Sequence, residues 1–193
     1  MAGNLWLDSG EDRASGNLRT ALWRLRHVDA ALIEASRNHL ALSRDVVVDL
    51  HTASARARDV LRDHGSDLGD DDSIRLAGDL LPDWYDDWVL IERERFRQLR
   101  LHALEALCAA FLAAGAHGLA VEAGLACMAA DPLRESAHRA LIRVHLAEGN
   151  QAEAVRQYQL YRRLVADQLG LAPSPELEEM VGHLPVAAAA RPL

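Results

Sequence analysis

Residues 104–121, LEALCAAFLAAGAHGLAV, and residues 138–155, HRALIRVHLAEGNQAEAV, are one phrase written twice at a spacing of 34 residues. Leu107 answers to Leu141, Leu112 to Leu146, Ala113 to Ala147, Gly115 to Gly149, Ala120 to Ala154 and Val121 to Val155. In each copy apolar residues recur at helical spacing up to the glycine and resume after it, so each copy reads as two helices joined by a tight turn. A unit of this kind buries its apolar face by stacking on the next. Residues 101–134 form one unit, ending in Asp-Pro-Leu, and residues 135–168 form the other.

The period, the small residues where helices would cross and the glycine in the turn together resemble the tetratricopeptide repeat. Two units bury too little alone. Helical pattern around residues 51–81 and a last helix over about 175–183 are expected to complete the stack. Asp131-Pro132 and Ser174-Pro175 each set a capping residue before proline, which predicts helix starts near 132 and 175. Upstream, a long helix is predicted from near Asp86 to Gly115, and a short one from Ser73 to Leu81 that Pro82 ends. Composition agrees with a mainly α fold: alanine, leucine and arginine abound and only 5% of residues are aromatic. With 193 residues, half of them apolar, the chain can build one or two compact domains.

The amino-terminal quarter has a different character. Residues 13–27, RASGNLRTALWRLRH, hold four arginines, a histidine and no carboxylate, within a chain whose formal net charge is -8. Ser9 and Asp12 carry the spacing of a helix start, and the helix is expected to reach about His27. Leu18, Leu22 and Leu25 form its apolar stripe, while Arg19, Arg24 and Arg26 project elsewhere. Next, Leu32–Ala35 and Leu40–Leu42 flank the polar turn Ser36-Arg37-Asn38-His39 and read as a hairpin. Val46, Val47 and Val48 form a further strand-like run before helical composition returns at Thr52–Asp63. The acidic residues concentrate elsewhere: residues 59–87 hold ten aspartates against Arg62 and Arg75. A basic patch acts over the Debye length of about 10 Å, so an acidic protein can still meet DNA through the opening helix.

Residues 80–107, LLPDWYDDWVLIERERFRQLRLHALEAL, and residues 131–177, DPLRESAHRALIRVHLAEGNQAEAVRQYQLYRRLVADQLGLAPSPEL, strongly resemble the bacterial transcriptional activator domain of AfsR/SARP-type regulators. The resemblance covers roughly residues 49–182 and rests on long uninterrupted phrases. LRTALWRLR, with the hairpin behind it, is similar to the recognition helix and wing of the OmpR-type winged helix that precedes this domain in the family. The implied fold is mainly α, a tetratricopeptide-like helical repeat domain preceded by a partial winged helix. The expected boundaries are a winged-helix portion over 1–48, the activator domain over 49–184 and a flexible tail over 185–193. The family's winged helix has a sheet and two helices before its recognition helix, and AGNLW is expected to be what remains of the second. Those upstream elements would cover Leu18, Leu22 and Leu25.

The resemblance implies a transcriptional activator that binds double-stranded promoter DNA, arrayed as direct repeats, and contacts RNA polymerase or another protein through its helical repeats. A homodimer is a further expectation. On this reading Asn17, Arg19 and Thr20 lie near base edges and Arg24 and Arg26 clamp phosphates. Arg37 and His39, at the hairpin tip, face phosphate or the minor groove. The alternative is a repeat scaffold that binds a protein without touching DNA. Trp84, Tyr85 and Trp88, beside Asp83, Asp86 and Asp87, are expected to anchor the long helix to the core rather than to stack on a ligand. Cys108, Cys127, His138 and His145 lack metal-ligand spacing and read as helix packing, so no metal or other cofactor is expected. No P-loop, dinucleotide fingerprint, GxSxG or HExxH occurs, which argues against an enzyme. No signal peptide or membrane-length apolar run is present, and a cytoplasmic protein is expected.

Overall fold

The structure, a computed structural model, describes residues 2–28, 32–36, 39–63, 69, 76 and 78–184. It is mainly helical and divides into two compact units, Met1–Asp49 and Leu50–Leu193.

In the first unit, α1 (Ala2–Leu5) packs on α2 (Glu11–Val28), and a hairpin of β1 (Ile33–Ala35) and β2 (Leu40–Leu42) follows. The strands run antiparallel, with Ile33 opposite Leu42 and Ala35 opposite Leu40. Ser36 N–H donates to the His39 carbonyl at 2.8 Å and closes the turn. The β-branched run Val46–Val48 forms no strand. Their segment turns back through Val46 N–H on the Ser43 carbonyl, 3.1 Å, and Val47 is 85% exposed; among the described residues no third strand offers it a partner.

The second unit holds α3 (Asp49–Asp63, whose first residue belongs to the preceding unit), α4 (Asp87–Ala113), α5 (His117–Ala130), α6 (Glu135–Ala147), α7 (Gln151–Leu169) and α8 (Pro175–Gly182). α4 packs against α5, α5 against α6, α6 against α7 and α7 against α8. The two quoted phrases form the turns α4–α5 and α6–α7, and both turns close identically. Gly115 and Gly149 take φ of 73° and 74°, where a side chain would be strained. Ala116 N–H donates to Phe111 O at 2.9 Å, and Asn150 N–H donates to His145 O at 2.8 Å, each pair displaced by one repeat from the other.

Among the described residues the core forms two clusters. One joins Ala57 and Val60 of α3 to Leu101, Leu104, Leu107 and Phe111 of α4 and to the inner faces of α5 and α6. The other joins Ile142 of α6, Tyr161 and Val165 of α7 and Leu177 and Val181 of α8. Helices α3 and α8 thus provide the layers that two repeats lack.

Three expectations need correction. α6 starts at Glu135 rather than near 132, because Asp131 closes α5 and then organises a turn: its carboxylate accepts Leu133 N–H at 3.3 Å and its carbonyl accepts Arg134 N–H at 3.2 Å. The predicted helix Ser73–Leu81 falls partly outside the described residues, and over 78–81 the chain bends, with Leu81 at a φ of 45°. Trp84, Tyr85 and Trp88 do not anchor α4 to the core: they are 49%, 77% and 44% exposed, and Val89 is the residue of that turn that points inward. Pro175, by contrast, opens α8 as expected, behind Ser174, whose hydroxyl accepts Leu177 N–H.

Candidate nucleic-acid interface

α2 begins with Glu11 and Asp12 in its first turn and ends with Arg26 and His27 in its last, charges that suit both ends of the helix dipole. Between them the sequence fixes an apolar side. Leu18 and Leu22 are partly buried and, with Leu25, form a groove of about 260 Å³ with Leu5, Trp6 and the inner side of the hairpin, including Ile33. The groove is open, and Leu25 remains 40% exposed. Among the described residues Ala14 is the only fully buried one in this unit.

The polar side faces solvent. Arg13, Arg19, Thr20, Arg24 and Arg26 are exposed and Asn17 is partly buried. Among the described residues none of these arginines has a carboxylate partner. Helical spacing sorts the five sequence candidates on α2 into two flanks instead of one row. Asn17, Thr20 and Arg24 follow one another at i, i+3 and i+7, and Arg19 and Arg26 lie one full two-turn step apart on the other side. The Thr20 hydroxyl donates to the Gly16 carbonyl at 3.1 Å, which leaves its lone pairs outward. Arg37 lies outside the described residues, and His39 is exposed.

Sequence reasoning passed over Trp23. It sits between Arg19 and Arg26 on their flank, 62% exposed, with its ring 4.1 Å from that of His27. Counting positions outward from Leu18 and Leu22 would have found it, since 23 falls opposite the apolar stripe.

The repeats carry a second set of ordered polar groups. Arg134 grips Glu105 with two hydrogen bonds, 2.7 and 3.0 Å, and Ser136 donates to the same carboxylate. Burial pushes the Glu105 carboxyl up, but these donors outweigh it and hold the group below its ordinary value. His138 is fully buried; its Nε2–H donates to the Pro132 carbonyl at 2.9 Å and its Nδ1 accepts from Gln157 Nε2 at 2.7 Å. Burial lowers its pKa despite the Pro132 carbonyl, so the imidazole is neutral. Cys108 and Cys127 are free and buried, their thiols pushed up to about 11 and about 12 chiefly by desolvation. Such thiols pack and do not react. Among the described residues no three His, Cys, Asp or Glu side chains gather into a metal site, and no helix is long and apolar enough to cross a membrane.

Comparison with known proteins matches residues 75–184, more than half of the chain, to the family described as "Bacterial transcriptional activator domain". The chain belongs to that family. Among its activator-domain relatives, "Regulatory protein AfsR" of Streptomyces coelicolor is 32% identical over 186 residues, and "Regulatory protein AfsR" of Streptomyces griseus is 31% identical over 192. Each alignment takes in 91% of this chain, which spans 19% of the length of either relative. A solved structure of Mycobacterium tuberculosis EmbR, in complex with a low affinity phosphopeptide, superposes with a TM-score of 0.68 at 20% identity, over 94% of this chain and 52% of that one. The activator-domain chain therefore shares the EmbR fold.

Proposed function

We propose that this protein is a transcriptional regulator, an activator, in which α2 enters the major groove of promoter DNA, the hairpin serves as the wing, and the helical repeats contact RNA polymerase or another protein. The observation that carries the reading is the exposed arginine surface of α2, carboxylate-free from Arg13 onward and set beside a hairpin. The family match and the regulatory relatives support it. In this reading residues 1–48 are a winged-helix portion, residues 49–184 the activator domain and residues 185–193 a tail. Arg24 and Arg26 clamp phosphates from opposite flanks, Asn17, Arg19 and Thr20 approach base edges, and Arg37 meets the backbone from the hairpin tip. The protein acts as a homodimer on direct repeats, in the cytoplasm, without a cofactor and without catalysing a reaction.

Duplex titrations at several salt concentrations test this. Each phosphate contact releases counterions, so Arg24→Ala and Arg26→Ala should weaken binding on every sequence and lower the salt slope by about one contact each. Arg19→Ala should cost about 1 to 3 kcal/mol on the preferred site and relax selectivity there. Identical salt slopes for the parent and all three variants would leave the second reading, a repeat scaffold without DNA binding. That reading is favoured by one observation, the thin core of the first unit, in which Ala14 alone is fully buried among the described residues.

A further inference from the structure

The start of α4 carries a surface that neither repeat packing nor DNA contact uses. Asp83, Asp86 and Asp87 are exposed, and among the described residues none of them has an ion-pair partner. Trp84, Tyr85 and Trp88 stand between them with much of their ring area in water. The two indoles meet edge to face, 6.4 Å between centroids at 78°, and each keeps nearly half of its surface exposed.

This surface is held in place from behind. Arg93 Nε donates to Leu80 O at 2.8 Å, and its Nη2 donates to Leu81 O and, at 2.7 Å, to Trp84 O. The buried Arg100 pairs with Asp79 at 2.8 Å. Two guanidinium groups of α4 thus fasten the loop that precedes it, and Leu81 is kept in the left-handed region that leucine rarely enters. A loop fixed this firmly with its aromatic residues turned outward loses little further entropy on binding.

Charge decides what fits. Three unpaired carboxylates repel phosphate, which excludes nucleic acid, and a purely apolar partner would strip their water without replacing it. A segment bearing guanidinium or ammonium groups satisfies both halves of the surface, through charge-assisted hydrogen bonds to the aspartates and cation–π contact with the tryptophan and tyrosine faces. We propose that the Trp84, Tyr85 and Trp88 face, with Asp83, Asp86 and Asp87, docks an arginine- or lysine-bearing segment of a partner protein. The proposal deepens, and rests on, the protein-contact part of the function proposed above.

The test titrates the full chain with a short peptide of alternating arginine and alanine and with the same peptide carrying citrulline, which keeps the shape and removes the charge. Calorimetry gives the affinities, and the indole N–H resonances of Trp84 and Trp88, set against those of Trp6 and Trp23, give the place. The arginine peptide should bind at least about fivefold more tightly than the citrulline peptide and move the first two resonances. Trp88→Ala, and Asp86→Asn with Asp87→Asn, should each remove most of that preference without changing the melting temperature. The asparagine pair alters charge alone, so it reports even if the tryptophan variant unfolds. Equal affinity for the two peptides, or resonance shifts confined to Trp6 and Trp23, would overturn the proposal. So would a low-salt dimer abolished by the asparagine pair, which would put a second copy in the partner's place. Arg24→Ala and Arg26→Ala should leave peptide binding intact, so a failure of DNA contact and a failure of this surface are read separately.

Discussion

Gly124 and Leu141 show how closely the repeats approach. A Cβ added to Gly124 would lie 2.7 Å from both Cγ and Cδ2 of Leu141, which is 1% exposed. Leu141→Ala should therefore cost about 2 to 5 kcal/mol through the cavity it opens, and Gly124→Ala about 1 to 3 kcal/mol through overpacking. The double variant should lose less than the sum, because the new methyl enters the vacated space; additive losses in chemical denaturation would remove the contact from the account. His138 gives a pH prediction. Its folded pKa lies below the ordinary 6.5, so the unfolded chain binds the extra proton and stability falls as pH drops from above 6.5 through the folded value. Glu105, held below 4.5, adds a further loss at lower pH as it is protonated. Denaturation midpoints measured between about pH 7 and pH 5 should decline in the parent and stay flatter in His138→Gln. A slope unchanged by that substitution would assign the proton elsewhere.

At the scale of the element, helix beginnings separate what local chemistry decides from what it does not. Ser174 accepts Leu177 N–H at 3.3 Å and also donates to Glu135, while its own N–H reaches that carboxylate at 2.9 Å. One side chain thus caps α8 and ties it to α6. Ser174→Ala should lower stability by about 0.5 to 2 kcal/mol in thermal unfolding, and a change within the scatter of exposed substitutions would mean that the cap is idle. Asp131-Pro132 offers the same signal and gives no helix start, because Asp131 is already committed to ending α5. The motif was legible in both places, and the neighbouring helix settled only one of them. α2 repeats the lesson: its arginines were legible as a basic surface, but their division into two flanks, with Trp23 on one of them, follows from the side that Leu18 and Leu22 turn to the hairpin.

At the scale of the whole molecule, the second unit has the core and the first has little. The two clusters of buried residues lie beyond residue 50, built from helices that repeat and cap one another. A chain beginning at Asp49 should accordingly fold alone and melt in one cooperative transition, followed by far-UV circular dichroism; a gradual, non-cooperative loss of signal would show that the amino-terminal residues are needed. The converse fragment, residues 1–48, should melt at a lower temperature, as expected where the described residues bury only Ala14.

The sequence by itself determined the repeat, the two left-handed glycine turns, the hairpin and the basic helix, because each of these is local: a period, a φ that only glycine takes easily, an alternation, a run of one charge. Tertiary structure alone decided the fate of Trp84, Tyr85 and Trp88. Large apolar rings next to a helix start read as core, and nothing local reveals that Arg93 binds the loop carbonyls or that the rings stand in water. It also decided that His138 is neutral, since its partners Pro132 and Gln157 and the burial that lowers its pKa come from three segments brought together only by packing.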